Sequence, residues 1–91
     1  MDIIDTIREF LLSDPDYDFS ADMSNEESLI ENGVITSLTI ISLLVFLEET
    51  YNITFNYEEL NEETVESLNN IEQIVLTKLN GKQPPISRTL P

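Results

Sequence analysis

Leu38-Thr39-Ile40-Ile41-Ser42-Leu43-Leu44-Val45-Phe46-Leu47, continued by Glu48-Glu49-Thr50-Tyr51, is the stretch on which the fold turns. At about 100° per residue, Ile40, Leu43, Leu44, Leu47 and Tyr51 fall on one side of a helix and make an ordinary core stripe. Leu38, Ile41 and Val45 make a second stripe, roughly 120° or more from the centre of the first, flanked by Thr39, Ser42, Glu48 and Glu49. A chain of 91 residues supports one domain with one modest core, and a domain of that size hides only about 60% of its unfolded surface. One stripe is therefore expected to face solvent. An exposed apolar patch edged by polar and acidic groups is the usual mark of a partner site. The alternative is that the long segment before the helix folds over Leu38, Ile41 and Val45 and hides them.

Working outward, Ser37 opens this helix, which ends at Asn52. A serine at a helix start has an ordinary reading as an N-cap, its hydroxyl satisfying an orphan backbone N–H, so position alone gives it no special role. Upstream, Ser13 to Thr36 lacks periodicity but contains Tyr17, Phe19, Met23, Leu29 and Ile30. It reads as a long loop pinned by those side chains, with a short turn at Asn25 to Leu29 and a closing turn at Asn32-Gly33. Before it, Asp2 to Leu12 places Ile3, Ile7, Phe10 and Leu11 at helical spacing, with Asp2 and Asp5 where a helix N-terminus favours negative charge. Asp14-Pro15 stops that helix, because a residue before proline is pushed out of the helical region.

Downstream, Glu58 to Glu66 reads as a short acidic helical piece. Ser67 caps a last helix striped by Leu68, Ile71, Val75 and Leu79 and ended by Asn80-Gly81. The expectation is an all-α, four-helix bundle over residues 1–80, with a long loop between the first two helices. Residues 81–91, which hold three of the four prolines, are expected to form a flexible tail.

Composition excludes several chemistries. The chain has no His, Cys or Trp, which removes imidazole acid–base catalysis, thiolate nucleophiles and His/Cys metal sites. Eighteen acidic residues against four basic ones give a formal charge of -14. Such a field repels nucleic acid and anionic membranes and favours encounter with basic protein surfaces, although acids also simply keep a small protein soluble. The acidic start and the lack of a long apolar run suggest a cytoplasmic protein. Asp14, Asp16 and Asp18 alternate as in a calcium loop, but Phe19 stands where glycine is needed and Asn25 where a bidentate glutamate is needed. The pairs Glu48-Glu49, Glu58-Glu59 and Glu62-Glu63 point apart on a helix and read as solvated faces, not as a hydrolase pair.

Glu31-Asn32-Gly33-Val34-Ile35-Thr36-Ser37-Leu38, followed by Leu47-Glu48-Glu49-Thr50-Tyr51-Asn52-Ile53, closely resembles the acyl carrier and peptidyl carrier protein family. Glu63-Thr64-Val65-Glu66-Ser67-Leu68 looks like that family's third helix leading into its fourth, so the likeness spans about Asp2 to Asn80. It implies that Ser37 receives 4'-phosphopantetheine from coenzyme A through a phosphopantetheinyl transferase. The terminal thiol of that arm would carry an acyl or aminoacyl group as a thioester, in polyketide, nonribosomal peptide or fatty acid type biosynthesis. Such a protein is a substrate and shuttle, not an enzyme. A free-standing monomer is expected, partnered by the transferase, a loading ligase and downstream synthase enzymes.

The resemblance further implies that partners read Leu38, Ile41, Val45 and Glu48, with Glu58, Glu59, Glu62 and Glu63 as additions. The first three coincide with the surplus stripe found on the helical wheel. Thr36 departs from the family's aspartate before the serine, and Thr39 and Ser42 stand where acids often line the helix. These losses leave open an unmodified, carrier-like interaction module. Exposed ion pairs contribute only about 0–1 kcal/mol each, so a transferase could still act without them.

Overall fold

The computed structural model describes residues 2 to 81, and the remainder of the expected tail lies outside them. It contains three α-helices, α1 (Ile3–Ser13), α2 (Ile40–Tyr51) and α3 (Leu68–Gly81), with a 3-10 turn at Tyr57–Glu59 between α2 and α3. No strand occurs among the described residues, so the all-helical class holds.

α1 forms where its apolar spacing places it, burying Ile3, Ile4, Ile7 and Leu11. It ends at Asp14, whose backbone is extended (φ -116°, ψ 116°), as a residue preceding proline requires. α2 buries Ile40, Leu43, Leu44 and Leu47. It stops at Asn52, which adopts the left-handed conformation (φ 55°, ψ 49°) and donates its N–H to Glu48 O, a closure that asparagine tolerates better than most residues. The Ser67 hydroxyl accepts the Asn70 N–H at 3.1 Å at the head of α3, which is the cap expected there. α3 packs against both other helices, while α1 meets α2 through Phe10 stacked on Phe46, ring centroids 4.1 Å apart.

The third of the four expected helices, the short piece over Glu58 to Glu66, is reduced to the 3-10 helix Tyr57–Glu59 and a run of turns. Two local causes oppose a helix. Glu58 faces Glu62, Glu59 faces Glu63 and Glu62 faces Glu66 at a spacing of four, where like charges repel. Asn61 competes for the backbone, its Nδ2 donating to Glu58 O at 2.6 Å and its Oδ1 accepting the Thr64 N–H at 3.1 Å.

The long connection from α1 to α2 is packed, not loose. Tyr17, Leu29, Val34 and Ile35 are buried in the common core, with Phe19, Met23 and Ile30 packed against it. Leu29 donates its N–H to Glu66 O at 2.8 Å, and its carbonyl accepts the N–H groups of Val34 (2.9 Å) and Ile35 (3.2 Å). Asn69 N–H likewise donates to Asn25 O at 3.0 Å. Turns form at Asn25-Glu26 and around Gly33; Gly33 has φ +75°, a region costly for residues with a Cβ.

Candidate functional site

The Ser37 neighbourhood is set by the two threonines that flank its turn. Thr36 O accepts the N–H groups of Thr39 and Ile40, both at 3.0 Å. The Thr36 hydroxyl accepts the Leu38 N–H at 3.2 Å, while the Thr39 hydroxyl accepts the Thr36 N–H at 2.8 Å and lies 3.2 Å from Thr36 O, to which it donates. Ser37, Leu38 and Thr39 thus form one closed turn before α2, and the regular helix starts at Ile40 instead of Ser37. The late start follows from Thr39, whose hydroxyl bonds the backbone behind it, an alternative to regular helix that Ser and Thr readily offer.

The ordinary reading of Ser37 as an N-cap therefore fails: Thr36 supplies the capping oxygen. Ser37 is exposed, and its hydroxyl has no hydrogen-bond partner among the described residues while its neighbours are tied down. The turn is braced from below by Tyr17, whose buried phenol donates to Thr39 O at 3.3 Å and whose ring lies 5.4 Å from that of Phe10. Burial, then the negative charge of Asp14, pushes the Tyr17 phenol above its ordinary value, with Ser42 pulling the other way and Asp16 adding to the rise. The phenol stays protonated and remains a donor across the physiological range.

The surplus stripe of α2 is open to solvent. Leu38 is 87% exposed, Ile41 48% and Val45 41%, so the loop does not fold over them. An open groove of about 420 Å³ adjoins them, lined by Phe10, Ile41, Ser42, Val45, Phe46 and Glu49. Apolar side chains thus run from Ser37 along one face of the molecule.

The acidic positions divide. Glu58, Glu62 and Glu63 are exposed. Glu48 is half-buried and turned inward, its Oε2 accepting the Phe55 N–H at 2.9 Å. Glu59 accepts the Asn56 N–H at 2.6 Å and pairs with Lys78 Nζ at 2.8 Å. Burial raises the Glu59 carboxyl, but the hydrogen bonds from Lys78 and Asn56 and the lysine charge outweigh it and hold the group below its ordinary value. Spacing along the chain gave no sign of these internal roles, because Phe55 and Lys78 meet the glutamates only after the turns have formed. Among the described residues no group of three or more acidic side chains gathers around a possible metal position. No helix there is long and apolar enough to cross a membrane.

Over 75 residues the chain is 35% identical to the D-alanyl carrier protein of Lactobacillus delbrueckii subsp. bulgaricus, in each of two strains. The match covers 81% of this chain and 91% of each relative. The chain belongs to the carrier protein family. No family model and no solved structure matches it. A carrier holds and presents a group that other enzymes attach and remove, so it is not an enzyme itself. The helical fold and the exposed, unbonded hydroxyl beside an apolar face are features such a carrier can use.

Proposed function

We propose that this carrier holds an aminoacyl or acyl group on a 4'-phosphopantetheine arm attached to Ser37. The observation that carries the reading is the free Ser37 hydroxyl, exposed on a closed turn next to Leu38 and Ile41. Attachment needs a hydroxyl that an enzyme can reach, and the surroundings of Ser37 leave that route open. The Ser37 hydroxyl would lose its proton to a base of the transferase, and its oxygen would bond to phosphorus. The pyrophosphate bond of coenzyme A would break, releasing adenosine 3',5'-bisphosphate. No carboxylate among the described residues bonds the Ser37 hydroxyl and the chain has no His, so that base would come from the partner. The arm would supply the terminal thiol that this Cys-free chain lacks and would carry the cargo as a thioester.

The name of the relatives favours D-alanine as cargo over polyketide or fatty acid intermediates. The reading includes a free-standing carrier that acts in the cytoplasm as a monomer. The transferase, an adenylating ligase that loads the arm and the downstream enzyme would each dock on Leu38, Ile41 and Val45. Glu58, Glu62 and Glu63 add negative charge for basic surfaces, while Glu48 and Glu59 each offer the oxygen not engaged inside the fold.

The test is intact-mass measurement after incubation with coenzyme A and a promiscuous phosphopantetheinyl transferase. A gain of one phosphopantetheinyl group, absent in Ser37→Ala, is expected, followed by loading of D-alanine by a D-alanine-activating ligase. No gain overturns the reading in favour of an unmodified interaction module, and a gain that survives Ser37→Ala overturns the assignment to Ser37. Modification without D-alanine loading removes only the choice of cargo.

A further inference from the structure

We propose that Thr36 and Thr39, braced by Tyr17, are positioning residues for Ser37: an uncharged, reciprocal hydroxyl cap that holds the serine turn in the conformation a modifying enzyme meets. The inference rests on the carrier reading above and adds a role for residues that do not themselves react.

Three observations carry it. The cap is reciprocal, since the Thr36 hydroxyl accepts the Leu38 N–H while the Thr39 hydroxyl accepts the Thr36 N–H and donates to the Thr36 carbonyl. These contacts leave the Ser37 hydroxyl unbonded, and fixing the turn fixes the direction in which the Ser37 Cα–Cβ bond projects. The turn is also anchored at its far end, because Thr39 O accepts both the Leu43 N–H of α2 at 3.2 Å and the buried Tyr17 phenol. A short exposed segment without such ties would sample many conformations, and a partner requiring one of them would see an apparent affinity reduced by its population. Orientation of a nucleophile is among the larger contributions to reaction rate, and small misplacements are felt.

The cap also explains how the chain functions without a carboxylate before its serine. A threonine hydroxyl can accept the same kind of N–H bond at a helix start as an aspartate does. It carries no charge, so the geometry of the turn does not depend on ionisation at that position.

The experiment compares Thr36→Val, Thr39→Val, the double variant, Thr36→Ser and Thr39→Ser as transferase substrates, at a temperature where circular dichroism and urea titration show each to be fully folded. Each valine variant retains the side-chain shape and loses the hydroxyl. Transferase kcat/KM is expected to fall about five-fold in Thr36→Val, corresponding to one neutral hydrogen bond, and at least as far in Thr39→Val, which loses two. The double variant should fall little further, because the two residues act as one unit. Both serine variants should recover most of the rate, and amide exchange at Leu38 should accelerate in Thr36→Val but not in Thr36→Ser.

Folded Thr36→Val and Thr39→Val proteins modified at the wild-type rate would overturn the positioning role while leaving the carrier reading intact. Serine variants as impaired as the valine ones would overturn it as well. If the wild-type protein itself is not modified, the carrier reading fails and the positioning role fails with it.

Discussion

The two long connections of this small fold, 14–39 and 52–67, are tied to the helices by charges of opposite sign. In the first, a cation on α1 reaches into the loop. Arg8 donates to Ala21 O at 3.2 Å, to Met23 O at 2.6 Å and to Asn25 Oδ1 at 2.6 Å, and its guanidinium lies 5.7 Å from the Phe19 ring centroid. In the second, carboxylates do the reaching. Glu48 holds the Phe55 N–H, and Glu59 holds Lys78, whose ammonium sits 5.0 Å from the Phe55 ring centroid. A guanidinium stays charged at every ordinary pH, whereas a carboxylate does not. The Arg8 tie of the connection that presents Ser37 thus keeps its charge across pH, whereas the Glu59–Lys78 tie on the other side of α2 does not.

Several experiments bear on that contrast. The largest effect is expected from Leu29→Ala. Leu29 is 0% exposed at the centre of the first connection, and removing a fully buried leucine leaves a cavity that costs about 2–5 kcal/mol. Urea unfolding should show that loss with an unchanged m-value. A loss under about 1 kcal/mol would mean that the first connection is held by its polar ties alone.

Arg8→Met comes next, since it keeps most of the apolar stem and removes three hydrogen bonds and the stacking on Phe19. A cost of about 1–3 kcal/mol is expected, the range for unpairing partly buried groups from a charged partner. Because Ala21 O, Met23 O and Asn25 Oδ1 are neutral acceptors, most of that cost should survive at pH 4, with only the long-range attraction of Arg8 to carboxylates fading. A difference that vanishes on acidification would break the distinction between the Arg8 and Glu59 ties.

Glu59→Gln should cost at most about 1 kcal/mol at neutral pH, because the Lys78 pair is partly exposed and solvent screens it. The sign of its pH dependence follows from the lowered carboxyl. Its contribution is whole above the ordinary carboxylate value and is lost as pH falls through the lower folded value. Acid also relieves repulsion among the other carboxylates of a chain with formal charge -14, so the useful quantity is the difference between wild type and variant. That difference should close toward zero on acidification; one that stays constant would show that Lys78 holds the turn through its stem and not its charge.

The smallest effect on stability belongs to Leu38→Ala. With Leu38 87% exposed, thermal unfolding should shift by no more than the equivalent of about 0.5 kcal/mol. If Ser37 is modified as proposed, the same variant should raise KM for the transferase. A large loss of stability would mean that Leu38 is a packing residue and not part of a docking face.

Much of this was legible in the sequence where local rules act alone. Ile3, Ile7 and Leu11 marked α1 by spacing, Asp14-Pro15 marked its end, and Ser67 marked the head of α3. The separation of Ile40, Leu43, Leu44 and Leu47 from Leu38, Ile41 and Val45 anticipated the buried and exposed faces of α2. Glu58 to Glu66 is rich in helix-forming glutamates and reads as helical, but their mutual repulsion and the competing bonds of Asn61 limit the helix to Tyr57–Glu59. Apolar periodicity continuing through Leu38 suggests a helix start at Ser37, but the hydroxyls of Thr36 and Thr39 redirect the backbone and α2 begins three residues later, at Ile40.

Apolar spacing and turn chemistry along the chain determine the number of strongly periodic helices, the face each buries and the position of a serine just ahead of the central one. Those properties depend on residues within a few positions of one another. Tertiary structure alone decided that Arg8 clamps Ala21 to Asn25, that Glu48 and Glu59 turn inward, and that Tyr17 braces the serine turn. Each of these joins groups 7 to 22 positions apart, so the partner exists only once the chain has closed around a shared core.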